Sequence, residues 1–99
     1  MDENTFIDKA NTLLDALCET LEAQGIDVEQ EDGVVTVTLD NGKQFIINRH
    51  LPMKQLWLSS PFSGASHYTY HAEDDVWRNT RPPNDTLKER LLKELEDNP

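Results

Sequence analysis

The run "GVVTVTLDNGKQFIINR", residues 33 to 49, restricts the folds open to this chain more than any other stretch. Val34, Val35, Thr36, Val37 and Thr38 are all β-branched, which favours a pleated strand over a helix. Asp40, Asn41 and Gly42 then offer a tight reversal, and Asn-Gly readily supplies the positive φ angles of a type I′ turn. The returning segment through Phe45 and Ile47 is a second strand. An antiparallel hairpin is therefore expected at the centre of the chain.

The same reading extends in both directions. Upstream, Ile26 and Val28 alternate with Asp27 and Glu29, a strand with an acidic outer side. Downstream, after a break at Pro52, Leu56 and Leu58 alternate with Gln55, Trp57 and Ser59. If the leucines face the core, Trp57 points outward. A Ser/Pro/Gly loop from Ser59 to Ser66 leads into "HYTYH", and "DVWRN" is a short last strand with Trp77 in the core. Phe6, Ala10, Leu13, Leu14, Leu17 and Leu21 form one apolar stripe at helical spacing, predicting a helix over residues 4–24 that stops at Gly25. Pro82 and Pro83 interrupt the chain before "TLKERLLKELED". Thr86 and Glu89 form a capping box for that second helix, and Leu87, Leu91, Leu92 and Leu95 are its buried stripe.

Helix, five or six strands, helix, with short turns between strands, implies a mainly antiparallel sheet. Two amphipathic helices need an apolar surface, and one sheet face can serve both. The expected fold is a single α+β domain over residues 1–99. It is a two-layer sandwich with two terminal helices on one face of a five- to six-stranded sheet. The other face is left to solvent, carrying Gln44, Ile46, Asn48, Gln55, Trp57 and Ser59.

The net charge of −10 is unevenly placed. Residues 1–42 hold eleven acids and one base, Lys9, whereas residues 43–99 hold eight of each. Such a surface repels nucleic-acid phosphates and anionic membranes and attracts cations or a basic partner. No apolar run approaches the ~20 residues of a membrane span. The acidic start "MDENTFIDK" is unlike a secretory or mitochondrial leader. The expectation is a bacterial cytoplasmic protein, with a processed chain of the mitochondrial matrix as the alternative. The single Cys18, placed between the polar and apolar sides of the first helix, suits a reducing compartment. There is no phosphate loop, CxxC or HExxH motif. His67 and His71 share a strand face about 13 Å apart, too far to share a metal ion. The loop serines have no partner base, so hydrolase chemistry is not expected.

Two constellations remain. Asp15, Glu19 and Glu22 on the first helix, with Asp27, Glu29, Glu31 and Asp32 on and after the first strand, are expected to form one continuous acidic band. It is either a solubilising surface or a set of weak, solvent-exposed oxygen sites for hard or borderline cations such as Mg²⁺, Ca²⁺, Mn²⁺ and iron. The sheet face around Trp57, with Asn48 and Gln55, is either covered by a loop of the same chain or a docking surface.

Here the sequence resembles the frataxin family in its bacterial CyaY-like form. The resemblance runs over essentially the whole chain and is most specific in "FIINRHLPMKQLWLSSPFSG". "DGVVTVTLDNG" and the capped last helix add to it. It implies an α-β sandwich, a role in iron–sulfur cluster biogenesis, and docking on a complex of cysteine desulfurase and scaffold protein. It implies iron at Asp15, Glu19, Glu22, Asp27, Glu29, Glu31 and Asp32, and partner contact at Asn48, Gln55 and Trp57. A monomer is expected, with iron-driven oligomerisation as a ferroxidase or store as the alternative. The chain departs from the family pattern at Cys18, where many relatives carry another acid, at Ala65, where Pro is common, and at Tyr70, often Trp. Little tail follows the last helix to cover the gap between the helices, so modest stability is expected.

Overall fold

The structure is a computed structural model that describes residues 1–98. Its first helix, α1 (Glu3–Ala23), begins where Asp2 accepts a hydrogen bond from the Thr5 backbone N–H at 2.7 Å. It ends in a Schellman motif. Gly25 takes φ +78°, its N–H bonds to the Glu22 carbonyl, and the Ile26 N–H bonds to the Leu21 carbonyl. That closure turns the chain directly into β1 (Asp27–Glu31). Then follow β2 (Val34–Thr38), β3 (Gln44–His50), β4 (Gln55–Ser60), β5 (Gly64–His71), β6 (Val76–Asn79) and α2 (Leu87–Asp97). The six strands pair antiparallel in sequence order. No described helix is long and apolar enough to cross a membrane.

Alternation divides the sheet. Val35, Val37, Phe45, Ile47, Leu56, Leu58, Tyr68 and Trp77 point to one side, where Phe6, Ala10, Leu14, Leu17 and Leu21 of α1 and Leu87 and Leu91 of α2 complete the core. Trp77, 3% exposed, meets Phe6 edge-on at 5.8 Å. Cys18, expected at the boundary of the helix faces, is buried in this core. Leu13, Leu92 and Leu95 are only partly buried against it. Both helices lie on one side, as the stripes require.

The hairpin turns differ from expectation. At Asp40–Gly42 only Gly42 has positive φ, +86°. The Gly42 N–H bonds to the Leu39 carbonyl and the Leu39 N–H to the Lys43 carbonyl, so the loop has three residues and closes with Gly42 as a bulge. The Asn41 side chain instead accepts from the Lys43 N–H at 2.9 Å. The two-residue turn with positive φ at both centres is Asp32–Gly33, at +49° and +78°. Arg49 lies over this turn and bonds to Asn11 of α1.

The serine loop is structural. Ser60 donates to Glu94 of α2 at 2.6 Å and Ser63 at 2.9 Å. Arg90 pairs with Asp85 at 2.7 Å, and Asn79 also donates to Asp85. Burial pushes the Asp85 carboxyl up, but the Arg90 and Asn79 hydrogen bonds and the Arg90 charge outweigh it, leaving its pKa below the ordinary value.

Two predictions follow from this packing. An added Cβ at Gly33 would lie 2.7 Å from the Arg49 guanidinium carbon, whereas one at Gly42 meets nothing within 4 Å. Both positions carry the positive-φ penalty, so Gly33→Ala should lower stability by about 1–3 kcal/mol and more than Gly42→Ala; urea denaturation measures both. Asp85 titrates below its unfolded value, so its contribution is present above about pH 4 and lost as pH falls through the folded pKa. Asp85→Asn should cost on the order of 1 kcal/mol at pH 7, with the difference shrinking in acid. Denaturation at pH 7 and pH 3 checks this.

Candidate functional site

Among the described residues, no helix covers the sheet face away from α1 and α2. Strand register sets its rows. Glu31, Val34, Asn48, Trp57 and His67 pair in succession across β1 to β5. The next row is Glu29, Thr36, Ile46, Ser59 and Ala65. Ile46 is 40% exposed and Val34 is exposed beside it. Beyond the rows, Leu51 and Met53 are exposed at the β3–β4 hairpin tip. The β1 acids thus stand three strand spacings, about 14 Å, from Trp57 on the same face.

That placement divides the expected acidic band. Asp27, Glu29 and Glu31 point to the open face through their pairing with Thr38, Thr36 and Val34. Asp15, Glu19 and Glu22 belong to the helical layer on the other side. The helical layer reaches the edge of β1, where Gln30 donates to Asp15 at 2.9 Å. The period of two makes the division unavoidable: Val28 and Gln30 face the helix, so their neighbours cannot. A shallow concavity on the open side is lined by Glu29, Glu31 and Asp32 with Val34 and Thr36. All seven acids are exposed. Among the described residues, no three His, Cys, Asp or Glu side chains converge closely enough to hold a metal ion together. What the acids offer a cation is a hard, oxygen-only, hydrated surface.

Trp57 points outward, as its alternation requires, but it is only half-buried rather than freely exposed. His50 stacks on it with ring centres 3.7 Å apart and planes 9° apart. His67 stacks at 4.3 Å and 12°. The indole Nε1–H donates to Gln55 Oε1 at 2.7 Å. Gln55, expected as an exposed polar contact, is 9% exposed and its carbonyl is engaged by this bond. Asn48 is the direct cross-strand partner of Trp57 and stays half-exposed.

Neither histidine was marked by motif. The signal lay in the register, counted outward from the loops: a three-residue loop at Pro61–Ser63 sets His67 opposite Trp57. Leu51–Lys54 likewise sets His50 opposite Gln55, one diagonal step from Trp57.

Cys18 offers no chemistry here. Burial pushes its thiol pKa up, and the Glu22 and Asp15 charges add to the rise. Native protein at pH 7 should therefore react with a thiol-specific disulfide reagent many-fold more slowly than urea-unfolded protein; equal rates would refute the buried placement.

Comparison with known proteins adds to this geometry. The family model for the frataxin-like domain matches residues 1–98. A mitochondrial frataxin homologue from Schizosaccharomyces pombe is 35% identical over 75 residues, which is 76% of this chain and 48% of that protein. The chain thus spans about half the length of that relative. The iron-sulfur cluster assembly protein CyaY of Pseudomonas putida is 35% identical over 79 residues, 78% of this chain and 71% of that one. Among solved structures, frataxin from Psychromonas ingrahamii superposes with a TM-score of 0.87 at 28% identity, covering 96% of this chain and 89% of that one. A trimeric frataxin from Saccharomyces cerevisiae, a ferrous complex, superposes with a TM-score of 0.80 at 31% identity, covering 90% and 83%.

Proposed function

The chain belongs to the frataxin family, and we propose that it serves iron–sulfur cluster assembly as an iron-binding regulator that docks on the cysteine desulfurase–scaffold complex. The observation that carries the reading is the row from Glu31 through Asn48 and Trp57 to His67 on an uncovered sheet face. It sets an apolar and aromatic centre beside an acidic border. Such a surface fits a partner with an apolar patch and a basic rim. The frataxin family is iron-associated, and the Pseudomonas putida relative bears the name of an iron–sulfur cluster assembly protein. The bacterial relatives support a cytoplasmic setting.

Each group of residues has its part. Trp57, with Asn48 and the Trp57-bound Gln55, supplies the buried contact. Glu29, Glu31, Asp32 and Asp27 steer a basic partner toward it. Asp15, Glu19 and Glu22 on the helical side, and the strand acids on the open side, hold ferrous or ferric iron at separate sites. Iron there is cargo or signal, held weakly at exposed carboxylates. Its charge offsets the acidic field and so alters the encounter with a basic partner. An iron-storing oligomer is the second reading, supported by the trimeric yeast relative. A ferroxidase centre calls for Glu and His at helical spacing, and the seven acids have no histidine among them. Oxygen uptake on adding ferrous iron separates the two.

The test is an anaerobic desulfurase and cluster-assembly assay on the purified complex, with and without ferrous iron. Wild-type protein should change the rate, and the sign of the change gives activator or inhibitor. Trp57→Arg should lose most of the effect, with binding weaker by about 30-fold or more, while its circular dichroism stays native. Charge reversal at Glu29 and Glu31 should slow association and flatten its salt dependence. Reversal at Glu19 and Glu22 should act mainly on iron binding. A wild-type-like Trp57→Arg protein, in both binding and rate, would remove the docking reading.

A further inference from the structure

The stacked rings make Trp57 an unusual surface residue. β3 and β5 flank β4 on its two sides, so His50 and His67 cover opposite faces of the indole. The third restraint is the Nε1–H bond to Gln55, itself buried. His67 is the direct cross-strand partner, and a direct pair is spaced for ring stacking. His50 is two residues along the strand from the direct partner, Asn48, on the same face, so it must lean toward the indole. Its Nδ1 accepts the Met53 backbone N–H at 3.3 Å, which ties the ring to the hairpin tip. Three contacts from three strands leave only the outer edge of the indole to meet a partner.

We infer that His50 and His67 are positioning residues that clamp Trp57 edge-on, so that the docking element is a three-ring stack rather than a lone tryptophan. The consequence for binding rests on the docking reading above; the clamp itself rests on the ring geometry. A surface tryptophan without the clamp would sample several rotamers and lose that freedom on docking. Freezing one such side chain weakens binding by about threefold to tenfold. Pre-arranging it in the free protein avoids that loss. A clamp needs flat aromatic rings beside the indole, not the imidazole nitrogens themselves. Phenylalanine should therefore substitute for either histidine, whereas alanine should not.

Two measurements on the full chain test this. In proton NMR of the free protein, the His50 and His67 ring protons should lie upfield of those of His71. Trp57→Leu should return both to ordinary positions and leave His71 in place. In titrations of the purified desulfurase–scaffold complex, His50→Ala and His67→Ala should each weaken binding about threefold to tenfold. His50→Phe and His67→Phe should bind within about twofold of wild type. Absence of the upfield shifts overturns the clamp whatever the binding results. If the alanine variants bind like wild type while Trp57→Arg does not, the positioning role fails and docking stands. If Trp57→Arg also binds like wild type, the docking reading fails and takes the clamp's purpose with it.

Discussion

Both helices bury their apolar stripes against the same face of the sheet, and the rest of the molecule follows from that choice. Phe6, Leu14, Leu17 and Leu21 of α1 and Leu87 and Leu91 of α2 are fully or almost fully withdrawn from water together with the inner strand residues. Burying each such side chain contributes about 1.5–3 kcal/mol, and no equal apolar set exists for the other face. That face is instead mixed: Val34, Ile46 and Trp57 stand among Thr36, Asn48 and Ser59. A sheet covered on one side only presents a broad flat surface to partners. The arrangement that completes the core is the one that exposes the candidate site.

Charge is organised along the same division. The first 42 residues, α1 through β2 and its turn, carry the whole excess of acids. Of these elements β1 and β2 form one end of the sheet, because the strands pair in sequence order and β1 is an edge, while α1 crosses the helical side from Trp77 of β6, met by Phe6, to β1, met by Asp15. The far end is electrically balanced and tied together by the Asp85, Arg90, Glu94, Ser60 and Ser63 contacts that fasten α2 to β4. The strands are therefore polar across the sheet, with Trp57 between the acidic β1–β2 border and the balanced strands beyond it. The acidic edge also discourages edge-to-edge pairing of β1.

Most of the fold was legible because periodicity is a local signal. The α1 stripe, the strand alternations, the Trp77 core position and the Thr86–Glu89 capping box all stand where the sequence places them. What escaped depended on geometry between elements. The Asn-Gly pair allowed a two-residue turn, but Asn41 used its side chain to bond the Lys43 N–H, and the loop took three residues. Seven carboxylates close in sequence looked like one band, yet β1 alternation sends Asp27, Glu29 and Glu31 to the face opposite α1. Gln55 was expected to stand exposed beside Trp57, and it is 9% exposed with its carbonyl accepting the indole N–H. The two histidines that sandwich Trp57 belong to separate strands, and only the register unites them.

The central claim is that the uncovered sheet face, not the helical layer, meets the partner. The most direct measurement is amide NMR of isotope-labelled protein titrated with the purified cysteine desulfurase–scaffold complex. Under this account, signals of Val34, Ile46, Asn48, Trp57 and His67 broaden first, with Glu29 and Glu31 at the border. Those of Ala10 and Leu91, beneath the helices, persist until most of the protein is bound. A footprint centred on α1 and α2, with the Trp57 row unaffected, would contradict it.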